Sequence, residues 1–141
     1  MQIGVDSERA VDNKRVFVVD NDDVASTALQ FMLADEMETH VYTDVASALA
    51  AGAATPPDLI LLGAGVLESE GAEAVTRLKG ALEGVRMLLV CLDADEPVIQ
   101  QALSLGAEST LQRPLKVETV RRRVDAQLGR RAALAIPVVT R

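Results

Sequence analysis

The sequence predicts an α/β fold, a parallel sheet wound on both faces by helices. Three observations carry that reading. Short apolar runs alternate with amphipathic segments five times along the chain. One run, Leu59-Ile60-Leu61-Leu62, stands between Pro57-Asp58 and Gly63 and is apolar at every position, as a mid-sheet strand buried on both faces must be. Hydrophobic residues make up 49% of the 141 residues but aromatic ones only 2%, so the core must be built from Leu, Val, Ile, Ala and Met.

The elements follow in order. Residues 1–14 are polar and aperiodic and read as a lead-in. Arg15–Asp20 is the first strand. Asp22 or Asp23 then caps a helix whose inward positions are Ala25, Ala28, Leu29, Met32 and Leu33, at helical spacing. Thr39–Tyr42 is the second strand, with His40 on an exposed edge. Asp44 caps a small helix with Ala48 and Leu49 inward, and Gly52–Pro57 is a loop by composition. After the Leu59–Leu62 strand, Gly63–Ser69 reads as a loop. Gly71–Leu82 is the third helix, with Ala74, Val75 and Leu78 inward. Arg86–Cys91 is the fourth strand. Asp93–Leu105 is the fourth helix, with Pro97 in its first turn and Gly106 as its C-cap. Ser109–Leu111 is the fifth strand, stopped by Arg113-Pro114. Val117 to about Gly129 is the last helix, with Val117, Val120, Val124 and Leu128 inward. One domain over 15–129 results, followed by a tail or the start of a linker at 130–141. Five strands of this kind fit the flavodoxin-like (βα)5 order 2-1-3-4-5, with ligands expected beyond the carboxyl ends of the strands.

Composition narrows the function. A formal charge of −7 disfavours nucleic acid and anionic membranes as direct partners, and so does the shortage of aromatics for base stacking. The single cysteine, Cys91, excludes an internal disulfide and suits a reducing compartment. No signal peptide is visible, and the apolar run Ala132–Val139 is too short to span a bilayer. A cytoplasmic protein is expected. The sequence shows no glycine-rich phosphate loop after the first strand, no Ser/His/Asp set and no metal-ligand spacing, so no enzyme activity is expected.

The strand ends supply Asp20-Asn21-Asp22, Gly63, Cys91 and Arg113 to one crevice. Here the chain resembles the receiver domain of bacterial two-component response regulators, from about Arg15 to Leu128. Val18-Val19-Asp20 resembles that family's acidic turn, and Pro57-Asp58-Leu59-Ile60-Leu61-Leu62 its third strand. Gly71-x-Glu73 with Leu78-Lys79 resembles its third helix. Gly106-Ala107 followed by Arg113-Pro114-Leu115 resembles its Gly-Ala … Lys-Pro-Phe segment. The resemblance implies phosphoryl transfer to an aspartate ending strand 3, with Mg²⁺ held by carboxylates after strand 1. It also implies a Ser/Thr ending strand 4 and a Lys ending strand 5 that bond and read the phosphoryl group.

Measured against that plan, only Asp20 is retained. The nucleophile position is Gly63, which has no side chain. The second carboxylate is Asn21, the hydroxyl is Cys91, the lysine is Arg113, and the switch aromatic falls on Thr110. The expectation is an atypical receiver that does not accept phosphate at the usual place. It would act by protein–protein contact with a sensor kinase, a downstream regulator or a second copy. The resemblance puts that contact on the face of the fourth helix, fifth strand and fifth helix, over Pro97–Leu105, Ser109–Leu111 and Val117–Leu128.

Alternatives stay open. Asp20, with Asp22, is a weak candidate for residual metal binding, because one firm carboxylate without a phosphate partner holds Mg²⁺ poorly; the competing reading pairs Asp20 with Arg113. No cofactor is expected. A displaced acceptor has four candidates: Asp22 on the rim, Glu68 and Glu70 on the loop after strand 3, and Asp58. The last lies roughly 16 Å from the crevice at ~3.3 Å per residue. Removing a carboxylate at position 63 would also leave room for a small ligand, with Arg113 to attract an anion. Cys91 is a sensing thiol or a small buried hydrophobe. The run Arg121-Arg122-Arg123, with Arg130-Arg131, either meets an acidic partner or is a solvated face.

Overall fold

The computed structural model describes residues 14–129. The lead-in, apart from Lys14, and the tail from Arg130 lie outside the described residues. Five parallel strands form one sheet in the order β2-β1-β3-β4-β5. They are β1 (Arg15–Val19), β2 (Glu38–Tyr42), β3 (Leu59–Gly63), β4 (Arg86–Cys91) and β5 (Ser109–Gln112). The helices are α1 (Asp23–Leu33), α2 (Val45–Ala54), α3 (Ala64–Glu70), α4 (Ala74–Ala81), α5 (Pro97–Ser104) and α6 (Val117–Leu128).

The central strands are apolar throughout because both faces are covered. Val16, Val18, Leu59, Leu61, Leu88 and Val90 pack with Leu29 and Leu33 of α1 and Val120 and Val124 of α6. Their neighbours Phe17, Val19, Ile60, Leu62, Met87 and Leu89 pack on the other face, with Val45, Val66, Val75, Leu78 and Ile99. Alternation along each strand sends successive side chains to the two cores. Each fully buried leucine contributes about 2 kcal/mol by removal from water.

The sequence reading needs correction at several element ends. The stretch after Gly63 is a helix, α3, not a loop. It buries Val66 and Leu67 and stops at Gly71, whose φ of 92° is open to glycine and costly to other residues. That stop delays the next helix, which begins at Ala74 rather than Gly71. Likewise α2 continues through Gly52 to Ala54, and Gly52 is a packing glycine: a Cβ there would stand 2.7 Å from the Leu82 side chain. β2 begins one residue early, at Glu38, which bonds Arg15 of β1 at 2.9 Å. α5 begins at Pro97, not Asp93, and Leu105 rather than Gly106 is its cap. β5 extends to Gln112. In α6, Val120 and Val124 are buried and Leu128 is partly so, but Val117 is 43% exposed. Ala28 and Met32 of α1 and Leu49 of α2 are only partly buried.

Other expectations hold. Asp22 and Asp44 cap α1 and α2. Ala74, Val75 and Leu78 are buried, and His40 is exposed on the edge strand β2. The opposite edge, β5, is partly blunted by Arg123, whose guanidinium donates to the Thr110 carbonyl at 3.1 Å. Among the described residues, no helix is long and apolar enough to cross a membrane.

Candidate functional site

The carboxyl ends of β1, β3 and β4, with the segment after β5, meet at one end of the sheet. Asp20 follows β1 directly and is 1% exposed. Its backbone N–H donates to the Tyr42 carbonyl at 2.9 Å, which ties it to β2. Its Oδ1 accepts from the Asp22 N–H at 3.0 Å. Its Oδ2 is buried and has no partner among the described residues. Burial pushes the Asp20 carboxyl above its usual range, opposed chiefly by the Asp22 N–H; the Asp22 charge adds to the rise and Arg113 counters it.

Gly63 is where the sequence reading expected space, and the structure corrects it. A Cβ at position 63 would overlap the Asp20 carboxyl, which lies directly over the glycine. A Cβ at Gly65 would in the same way overlap the Asn21 carboxamide. The Gly63 backbone, at φ −77° and ψ 147°, suits any residue, so close approach rather than conformation is what calls for glycine here. The absent side chain therefore leaves no open hole at position 63. The two polar side chains after β1 have folded into the space over the β3–α3 junction.

Asp22 is divided between two tasks. Its Oδ1 caps α1, accepting from Val24 N–H at 3.0 Å and Ala25 N–H at 3.3 Å. Its Oδ2 accepts from Arg113 at 3.0 Å. The Ala25 N–H bond and then the Arg113 bond hold this carboxyl below its usual range. The expected Asp20–Arg113 pair is thus replaced by Asp22–Arg113. Asp20 is turned inward over Gly63, while Asp22 sits on the rim that Arg113 reaches from beyond β5. Arg113 precedes Pro114 in a cis peptide, and its Nε is buried without a partner among the described residues.

Cys91 is a free, buried thiol, 1% exposed. Burial and then Glu96 and Asp93 push it upward, so it stays protonated and packs as a small hydrophobe. Thr110 lies opposite Leu89 in the ladder and is partly buried. Beside the filled position runs a cleft of ≈ 190 Å³ lined by Gly65, Glu68, Cys91, Leu92, Glu96 and Arg113, among others. Glu68 and Glu96 outnumber the one guanidinium, so the charged side chains of the lining sum to a negative charge. The sequence reading missed Glu96 and placed Glu68 and Glu70 on a loop after strand 3. Both lie on α3, and Glu70 is pinned by Val45 N–H and Arg77 at 3.3 Å and 3.4 Å. Asp58 accepts from Arg15 N–H at 2.9 Å at the far end of β3.

Mg²⁺ needs several oxygen ligands in near-octahedral array. The residues here do not fit it. Both Asp22 oxygens are engaged, one of them by the Arg113 guanidinium, and Asn21 faces Gly65. A single buried oxygen, Asp20 Oδ2, is left. No group of three or more His, Cys, Asp or Glu able to hold a metal occurs among the described residues.

Outside this crevice, Val24 and Phe31 of α1 are 80% and 85% exposed and border a shallow apolar depression with Thr27 and Ala28. No sequence signal marked Phe31, because it lies off the inward stripe.

Comparison with known proteins places the chain. The family model described as "Response regulator receiver domain" matches residues 16–125. Among solved structures, a two-component response regulator from Clostridium difficile superimposes with TM-score 0.74 at 18% identity, covering 84% of this chain and 98% of that one. The receiver domain of NtrX from Brucella abortus gives TM-score 0.72 at 21% identity, covering 81% and 98%. The receiver domain of sensor histidine kinase PA1611 from Pseudomonas aeruginosa, solved with magnesium in its active-site cleft, gives 0.73 at 18%, covering 83% and 98%. These identities speak for the fold alone. No curated protein matches the chain. With the family model spanning most of its length and the 2-1-3-4-5 sheet beneath it, this chain belongs to the response regulator receiver domain family.

Proposed function

We propose that this chain is an atypical receiver that signals without accepting phosphate at the end of β3, through protein–protein contact. The observation that carries this reading is the Asp20 carboxyl lying over Gly63. A nucleophile is missing there, and its place is occupied by a carboxyl whose outer oxygen is buried. The group that the family resemblance assigns to reading the phosphoryl, Arg113, is instead tied to Asp22. That ion pair fastens the segment after β5 to the β1–α1 turn. In this reading the arrangement serves as a fixed state rather than as a phosphate-driven switch.

A fixed receiver is useful as a binding surface. The face of α5, β5 and α6 is the place proposed for a sensor kinase, a downstream regulator or a second copy. No cofactor and no catalytic residue enter this reading, and the cytoplasm is its expected setting. A second reading has one observation in its favour: Glu68 lines the cleft beside Arg113, where a displaced acceptor would stand.

Incubation with acetyl phosphate or beryllofluoride and Mg²⁺ tests both. Intact mass should show no phosphoryl adduct, and backbone amide NMR should show no shift at the crevice. An adduct mapped to Glu68 establishes the second reading and sinks the first. The variant Gly63→Asp should also stay unlabelled, because Asn21, Cys91 and Arg113 remain altered around it.

A further inference from the structure

The arginines of the described residues fall into two sets. Arg15, Arg77, Arg113 and Arg121 each meet a carboxylate within 3.4 Å. Arg86, Arg122 and Arg123 meet none among the described residues, and Arg122 and Arg123 line one groove. It runs between the β5 edge and α6, encloses ≈ 250 Å³, and is lined by Leu88, Ser109, Arg122, Arg123, Ala126 and Gln127. Arg86 reaches it from the start of β4 by donating to Gln127 Oε1 at 3.3 Å. Among the described residues, Arg123 donates only to the Thr110 carbonyl. Arg122 is exposed and makes no bond to the rest of the described chain.

The lining holds no carboxylate. Glu118, one turn before Arg122 on α6, forms no ion pair with it. Asp125, on the same helix, is buried and is not without a partner. The neighbouring Arg121 shows what the fold does with a cation it uses internally: it bonds Asp35, Glu36 and the Met32 carbonyl. The Arg121-Arg122-Arg123 run is therefore not one solvated face. Its first member ties α6 to the end of α1, and the other two open onto the groove.

We infer that the groove between β5 and α6 binds an acidic segment of a protein partner, its carboxylates held by Arg122 and Arg123 with Arg86 behind them. This rests on the proposal that β5 and α6 belong to a protein-binding face, and it names the chemistry of what binds there. On a chain of net charge −7, a groove with cations and no lining anion is the place where a negative ligand gains most. Nucleic acid is the poorer occupant, since a phosphate backbone needs a longer basic track and meets net repulsion here. Arginine rather than lysine suits the task, because its planar fork takes a carboxylate through two bonds.

Fluorescence anisotropy with a labelled hexaglutamate peptide tests the inference on the full chain at low salt. Binding is expected, with affinity falling by about tenfold in Arg122→Glu/Arg123→Glu. Arg122→Glu alone should weaken binding as well, and it is safe for folding because Arg122 is exposed and makes no hydrogen bond or ion pair among the described residues. Arg77→Glu, away from the groove, should leave binding unchanged. Absence of binding, an equal loss in Arg77→Glu, or preferential binding of a labelled DNA duplex overturns the inference. A photo-crosslinker placed at exposed Gln101 on α5 separates this from the broader reading. If it captures a host protein while hexaglutamate fails to bind, the face stands and the acidic partner falls; if both fail, both fall.

Discussion

The crevice beyond β1, β3 and β4 and the groove between β5 and α6 both contain arginine, and they treat it in opposite ways. In the crevice, Arg113 is bonded to Asp22, Asp22 caps a helix, and Asp20 and Asn21 lie over two glycines. Apart from Asp20 Oδ2 and Arg113 Nε, the buried side-chain nitrogen and oxygen atoms there are engaged by neighbours among the described residues. In the groove, no carboxylate is among the lining residues, and Arg122 and Arg123 make no ion pair among the described residues. The first region has been closed from inside, in the place where this fold ordinarily presents its ligand site. The second leaves charge unspent on a surface. Charges satisfied internally act on stability, and charges left facing outward act on binding, so the two regions should respond differently to substitution.

Gly63→Ala gives the largest contrast. Its Cβ overlaps the Asp20 carboxyl, and overpacking of this kind costs about 2 kcal/mol. Adding Asp20→Ala should recover much of that loss, and a chemical-denaturation double-mutant cycle measures the coupling. Additive losses would mean that the two residues do not share the space. Asp22→Ala removes the α1 cap and the Arg113 partner together and should lower the melting midpoint by roughly 5 °C.

Proton linkage offers a finer test. The folded Asp20 carboxyl is raised by burial, so its contribution to stability is fully present below the unfolded carboxylate range and is lost as pH rises through its folded value. Asp22 is lowered, so its contribution is present above that range and is lost as pH falls. Asp20→Asn should therefore stabilise the fold by about 1 kcal/mol at pH 7 and flatten the decline above the carboxylate range. Thermal melts from pH 4 to pH 8 would show it; an unchanged profile would mean that Asp20 carries no buried charge. The smallest effect belongs to the groove. Arg122→Ala should change stability by less than about 0.5 kcal/mol while weakening hexaglutamate binding. A large loss of stability would erase the distinction between the two regions.

The sheet was legible because buried parallel strands announce themselves as uninterrupted apolar runs, as in Leu59–Leu62 and Met87–Val90. Helices α1 and α4 were legible from their spacing, and the caps of α1 and α2 from Asp22 and Asp44. What misled was glycine. Gly52 and Gly65 read as loop residues, yet both lie in helices because a neighbour packs against the missing side chain. Helix α3 was hidden for that reason. The crevice membership of Asp20, Gly63, Cys91 and Arg113 could be anticipated, since position at a strand end follows from order along the chain. Which charge pairs with which could not. Asp20 and Asp22 are two residues apart and equally acidic in sequence, and only the Asp20 side chain turned over Gly63 leaves Asp22 to meet Arg113. The same holds for Arg121-Arg122-Arg123, three identical residues that the helix sends to different surroundings.

By itself, the sequence determined the five-strand parallel architecture and the chemical inventory at the strand ends, because hydrophobic periodicity and element order are local properties written residue by residue. The closure of the position-63 space, the Asp22–Arg113 pair and the carboxylate-free groove beside β5 were decided only by tertiary structure. Each depends on distances between residues remote along the chain, where a missing Cβ or one turn of helix settles which charges are satisfied and which are left to a partner.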